Sequence, residues 1–186
     1  MKRWMDIALG LLAALLLALP CLAVALAVRL TSRGPVLYWS ERVRRRNALF
    51  RMPKFRSMRV DTPTVATHLL EDPASWLTPI GSFLRRSSLD ELPQLWSILR
   101  GDMAWVGPRP ALYNQHDLIA LRTARGIDAL RPGLTGWAQI NGRDELPTET
   151  KVGLDAHYLA QRSLALDLRI LVLTFAKVIR REGVSH

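Results

Sequence analysis

Cysteine is nearly absent from this sequence. Cys21 is the one example among 186 residues, so no disulfide can form within the chain. With four scattered histidines there is no Cys/His zinc spacing either. A Walker A loop and a G-x-G-x-x-G fingerprint are both missing, which excludes the familiar nucleotide-binding folds. Residues 7–28 carry no charge at all. Acids are almost missing from the first sixty residues, where twelve Lys/Arg stand against Asp6 and Glu41. The remaining residues hold fourteen basic and fourteen acidic side chains, so the entire net charge of +10 lies beside the apolar N-terminus. That placement suits a juxtamembrane segment facing anionic lipid. It argues against nucleic acid, whose binders more often carry their charge on the folded domain.

The uncharged run is long enough to cross a bilayer as a helix, since about twenty apolar residues suffice. Three readings compete. A signal peptide would use Lys2-Arg3 as its basic start and Ala25-Leu26-Ala27 as its cleavage site, but would leave a dense basic segment at the mature end. A simple span conflicts with the positive-inside rule, because cations flank both ends: Lys2 and Arg3 before, Arg29, Arg33 and Arg42 after. A re-entrant helix that breaks at Pro20 and turns back would keep both basic ends on one side.

Beyond the run, residues 36–43 read as a strand, residues 44–47 as a basic hairpin tip, and residues 49–59 as a second strand of alternating apolar and basic residues. Lys54 and Arg56 flank Phe55 there, which suits either a charge-guarded strand edge or a cationic strand offered to a diphosphate or lipid head group. Residues 60–79 look like a loop. Residues 80–86 read as a short helix, residues 111–126 as another, and residues 164–181 as a helix apolar on two faces, either buried or lying on a membrane. Leu164, Leu168, Leu171, Val172, Phe175 and Ile179 form one of its stripes.

The densest chemistry lies at Ser88-Leu89-Asp90-Glu91-Leu92-Pro93-Gln94-Leu95-Trp96, between the Arg85-Arg86 pair and an isolated Arg109. Ser88 with Glu91 three residues later fits a capping box, with Asp90 favoured by the helix dipole. Adjacent acids bounded by arginines equally suit chemistry on a phosphorylated substrate, and these residues alone leave both readings open. Leu92, Leu95, Trp96 and Leu99 recur at helical spacing and are expected to be buried. Residues 106–110, Val-Gly-Pro-Arg-Pro, form a stiff loop that would hold Arg109 in place. A second dense stretch, residues 131–143, has three glycines with Arg131 and Arg143 at its ends. Its glycines are expected to allow close approach to a ligand, or to form a turn packed by Trp137.

With these motifs in order, the chain closely resembles the bacterial sugar transferase family, and within it the small monotopic phosphoglycosyl transferases that start O-antigen, capsule and protein-glycan assembly. The likeness runs from Lys2-Arg3 and Asp6 through Lys54-Phe55-Arg56-Ser57-Met58, the Asp90-Glu91 segment, Gly101-Asp102-Met103, residues 106–110, residues 131–136 and Asn141-Gly142-Arg143 to Gly183-Val184-Ser185. The resemblance implies transfer of sugar-1-phosphate from a UDP-sugar to undecaprenyl phosphate, with release of UMP. It implies Asp90 as nucleophile forming a covalent phosphosugar intermediate, magnesium held at Asp90, and Glu91 in proton transfer or metal positioning. Lys54, Arg85 and Arg109 fall at positions suited to phosphate; Arg86 and Arg131 join them as substrate-binding candidates, and Arg143 is assigned to the nucleotide.

The expected architecture is mainly α with a small β-hairpin. Residues 1–33 form an N-terminal re-entrant membrane helix hairpin broken at Pro20. Residues 34–186 form a compact cytoplasmic α/β catalytic domain with interfacial amphipathic helices, at the bacterial inner membrane. The resemblance also implies the minimal form of the family, without further domains ahead of this core, and a possible homodimer. Leu19-Pro20, the basic tip, Ser97 and Ala104 depart from the family's habits. The alternatives are direct attack by lipid phosphate in a ternary complex, and a non-catalytic basic membrane-anchored scaffold module.

Overall fold

The computed structural model describes residues 2–63, 70, 72–142 and 146–180. A single long helix, α1 (Lys2–Thr31), opens the chain. It is the one described helix long and apolar enough to cross a membrane. The chain stays helical through Pro20, so no connecting loop divides the two halves. One stripe of α1 faces the rest of the protein along its whole length. Asp6, Gly10, Val24 and Val28 are buried in it, with Ala13, Leu17 and Cys21 partly so. The spacing of three and four residues keeps these side chains on one face. A Cβ at Gly10 would lie 2.8 Å from Leu99 Cδ2, which marks how closely the helix approaches. The opposite face, from Trp4 through Leu11, Leu15, Leu19, Leu22, Leu26 and Leu30, is exposed.

Both ends of α1 are tied to the same domain. At the start, Lys2 Nζ donates to Tyr158 OH at 2.6 Å and pairs with Asp167 at 2.8 Å. Arg3 donates to the carbonyls of Ile98 and Leu99 in the last turn of a helix. Asp6 accepts from the backbone N–H of Trp105. At the other end Arg56, buried, donates to the carbonyls of Ser32 and Arg33.

An antiparallel hairpin follows, β1 (Leu37–Val43) with β2 (Leu49–Phe55), in the register Leu37↔Phe55 to Val43↔Leu49. The strands match the expected hairpin, although β2 ends at Phe55 rather than running on to residue 59. Its tip turns through two left-handed residues, Arg46 and Asn47, a conformation usual for glycine. Then come α2 (Gly81–Arg86), a 3-10 segment over Leu89–Gln94, and α3 (Leu95–Arg100). A two-stranded parallel sheet pairs β3 (Ala104–Val106) with β4 (Gly133–Thr135). Three-residue strands fall below any periodicity, and residues 104–106 gave no strand signal. The remaining helices are α4 (His116–Ala124), α5 (Trp137–Ile140), α6 (Thr148–Gln161) and α7 (Leu164–Arg180). The helix expected over residues 111–126 is thus shorter, because Leu112 is held in a bridge to Arg42.

Three apolar clusters make the core. Phe50, Met52, Leu95, Ile98 and Met103 form the first, Val24, Val28, Phe55 and Leu84 the second, and Val106, Ile140, Tyr158 and Ile170 the third. Two expectations about helix faces change. Trp96 is 57% exposed, and Ser97 and Ile98 take the buried side of α3 instead. On α7 the domain side is Asp167, Ile170 and Leu171, so Leu164, Leu168, Val172 and Phe175 face outward. An outward apolar stripe on a helix that also has a packed face is the pattern of an interfacial helix.

Candidate active site

The Asp90-Glu91 pair is placed by the way α2 ends. Ser88 adopts the left-handed conformation, φ 56°, and its N–H bonds to the carbonyl of Arg85 at 3.1 Å. It therefore closes α2, in the role glycine usually takes. The expected capping box is not formed: the Ser88 side chain makes no cap bond, and the Glu91 carboxylate bonds to Lys54 instead. The chain reverses at Ser88 and enters the 3-10 segment, which packs on β2 and turns Asp90 inward to 7% exposure.

β2 supplies Lys54 from the facing side. Its ammonium lies 2.7 Å from Glu91 Oε1 and 3.9 Å from Asp90 Oδ2. Arg109 Nη2 lies 3.3 Å from the same Glu91 oxygen. Arg85, from α2, donates to Ser57 Oγ at 3.2 Å and is close enough for Asp90 and Glu91 to oppose the lowering of its pKa by burial. Two acids and three cations from four separate segments thus converge.

The two acids ionise in opposite senses. Burial pushes Asp90 above the ordinary carboxylate range; Lys54 opposes this, Glu91 adds to it, and Arg85 and Arg109 oppose it further. Burial would raise Glu91 as well, but Lys54 and Arg109 outweigh it and hold that carboxyl well below its usual value. An acid pair split this way is the usual sign of two distinct roles.

Arg109 is aimed by the backbone. Gly107, Gly133 and Gly136 interlock: a Cβ at Gly133 would lie 2.1 Å from Gly107 N, and one at Gly136 2.1 Å from Gly107 O. Gly107, Gly133 and Gly136 thus admit one chain segment to another, which among the two readings open for residues 131–143 is the packed turn. Gly107 N donates to Thr135 O and Gly133 N to Pro108 O, both at 2.9 Å.

Lys54, Arg85, Arg109, Asp90 and Glu91 are therefore brought together as expected from their types. Arg86 is exposed at the end of α2. Arg131 lines an open hollow of about 320 Å³ with Arg44, Arg45, Arg46 and Asp102. Neither is joined to the acid pair by a bond among the described residues. Arg143 and residues 183–185 lie outside the described residues. Sequence reasoning missed Ser57 and Met58 as partners of Arg85. It also missed the Arg122–Asp155 pair, whose members are 33 residues apart with no motif to link them.

Among the described residues no three His, Cys, Asp or Glu side chains gather as a metal cage. Glu91 Oε1 is held by two cations, whereas the Lys54 ammonium is 3.9 Å from Asp90 Oδ2, so Asp90 is the less tightly held of the two acids. Magnesium is commonly bound by one or two carboxylates together with substrate phosphates, so this donor set fits it as a shared ligand and not as a resident of an all-protein site.

A buried carboxylate thus sits in a cationic pocket, on a domain whose N-terminal helix has an apolar outer face. The chain belongs to the Bacterial sugar transferase family, which it matches over residues 1–181. It is 38% identical to the uncharacterized sugar transferase EpsL of Bacillus subtilis, over 100% of this chain and 91% of that protein. It is 42% identical to the UDP-glucose:undecaprenyl-phosphate glucose-1-phosphate transferase of Xanthomonas campestris pv. campestris, over 85% of this chain and 34% of that one. It is 40% identical to the undecaprenyl-phosphate glucose phosphotransferase of Komagataeibacter xylinus, over 96% of this chain and 36% of that one. The chain spans well under half the length of these last two relatives.

Proposed function

We propose that the protein transfers sugar-1-phosphate from a UDP-sugar to undecaprenyl phosphate, releasing UMP, by way of a covalent phosphosugar intermediate on Asp90, a mixed carboxylic-phosphoric anhydride. The observation that carries this reading is the split pair: a buried Asp90 of raised pKa beside a Glu91 pinned by Lys54 and Arg109. In the first step an Asp90 oxygen attacks the sugar-bearing phosphorus. The bond to the bridging oxygen breaks, and UMP leaves with that oxygen and its electron pair. In the second, a phosphate oxygen of the lipid attacks the same phosphorus and the carboxylate is released, giving the lipid-linked diphosphate sugar. One displacement becomes two, each within a fixed geometry.

The raised pKa makes Asp90 the more basic oxygen nucleophile. Its charge must approach an anionic diphosphate, and Lys54, Arg85 and Arg109 offset that repulsion and the charge that builds in the transition state. Glu91, its pKa held low by Lys54 and Arg109, orients those two cations. When bound beside Asp90, magnesium would polarise the phosphoryl oxygens and offset the charge that builds on the phosphate of the departing UMP.

The same reading extends to the membrane. With both ends of α1 on one domain and its outer face apolar, α1 lies in one leaflet as a continuous helix with its packed stripe on the domain, and the outward face of α7 lies at the interface. That puts the acid pair within reach of a lipid phosphate on the cytoplasmic face of the inner membrane. Incubating the protein with a panel of UDP-sugars and no lipid tests the chemistry. One nucleotide should give UMP in an amount equal to the enzyme, and Asp90→Asn should give none. UMP that forms only when lipid phosphate is added would replace the covalent route by direct attack. Full activity in Asp90→Asn would remove the assignment.

A further inference from the structure

Four consecutive carbonyls of the Arg109 loop are taken by four different donors. Pro108 O accepts from Gly133 N at 2.9 Å, Arg109 O from Arg122 Nη1 at 2.8 Å, Pro110 O from Arg42 Nη1 at 3.0 Å, and Ala111 O from Val43 N at 2.9 Å. Prolines at 108 and 110 supply no N–H of their own, so this loop is held through its acceptors. The bond on Arg109's own carbonyl comes from a side chain that is itself anchored. Arg122 Nη2 and Nε lie 2.6 Å and 3.0 Å from Asp155 Oδ2, and Asp155 is 1% exposed. The fork of one guanidinium thus spans a buried carboxylate on α6 and the backbone of the loop that presents Arg109.

A buried ion pair is weak evidence for stability, because the cost of desolvating both charges consumes much of the attraction. What this pair holds is more informative. Its third bond ends on the residue whose side chain reaches Glu91, while neither Arg122 nor Asp155 is bonded to the acid pair. We infer that Arg122, fixed by Asp155, is a positioning residue for Arg109, setting the peptide from which that guanidinium reaches Glu91 and the diphosphate. This rests on the phosphoryl-transfer reading of the site. Loss of the Arg122 bond removes the anchor on Arg109's own carbonyl, and a displacement of about 1 Å at a charge-stabilising group costs about a hundredfold in rate.

A double-mutant cycle on the full chain in lipid nanodiscs tests this. UMP release and KM for the UDP-sugar are measured for Arg122→Gln, Arg109→Lys and the pair together. Arg122→Gln should slow release about 10- to 100-fold, and Arg122→Lys should recover part of that. In the Arg109→Lys background the same Arg122→Gln change should cost under about 3-fold, because the group it positions is already altered. Equal losses in both backgrounds, or no loss in Arg122→Gln, overturn the inference. Where Arg122→Gln does not fold, Asp155→Asn serves, since it leaves the Arg109 bond in place but unanchored; a rate equal to wild type there overturns it too. Full activity in Arg109→Lys alone is a different failure: it refutes the active-site reading on which the inference stands.

Discussion

Replacing Lys54 by methionine removes the cation between the two acids while keeping most of the side-chain stem. At an effective dielectric of about 20, Coulomb attraction across the 3.9 Å from Nζ to Asp90 Oδ2 is about 4 kcal/mol, or about three pH units. Some of that is recovered as Arg85 and Arg109 relax toward the pair, so the Asp90 pKa should rise by about one to three units. It starts from a value that burial has already raised. The acid limb of the pH–rate profile for UMP release should therefore move upward by about one to three units, since Asp90 must be ionised to attack. Single-turnover quenching over a pH series reads this directly, and Lys54→Arg, which keeps the charge, should hold the limb near its original place. An acid limb that stays fixed while only the plateau falls would refute the reasoning: Lys54 would then be binding substrate without setting the ionisation of Asp90.

The two acids should answer oppositely in thermal melts near neutral pH. Asp90's folded-state pKa lies above its unfolded value, so its ionised form opposes folding, and Asp90→Asn should raise the melting temperature while abolishing turnover. Glu91's lies below its unfolded value. Its contribution is present above the ordinary carboxylate range and is lost as pH falls through the folded value, so Glu91→Gln should destabilise by about 3 kcal/mol near neutrality. Ser88→Gly should stabilise by about 1 kcal/mol by removing a left-handed non-glycine residue, which chemical denaturation measures. Gly107→Ala places a methyl 2.4 Å from Arg131 O, and should cost about 1–3 kcal/mol in melting experiments and slow UMP release through Arg109. For topology, exposed cysteines replacing Trp4 and Glu41 in a Cys21→Ser background should both label from the cytoplasmic side; labelling from opposite sides would make α1 a span.

The sequence by itself determined the local facts. An uncharged run with cations at both ends suits a membrane, because water disfavours its leucines and lipid its arginines. Alternating residues on either side of a basic tip specify a hairpin, and the Asp90-Glu91 pair among arginines offers either a helix cap or a site for an anionic substrate. These follow from residue type and short spacing, which one strand or one helix turn expresses directly. Tertiary structure decided everything that depends on which distant segments meet. Ser88 looked like the start of a helix, and only its left-handed backbone made it the end of one. Trp96 had the period of a core residue and lies outside, because α1 packs on the Ile98 side of α3. The glycines of residues 131–136 suited either a ligand or a packed turn, and they admit Gly107. Asp90 and Glu91 are adjacent and chemically alike, so no pattern could separate them. Burial of one, and two cations delivered from residues 54 and 109 to the other, gave them different chemistry.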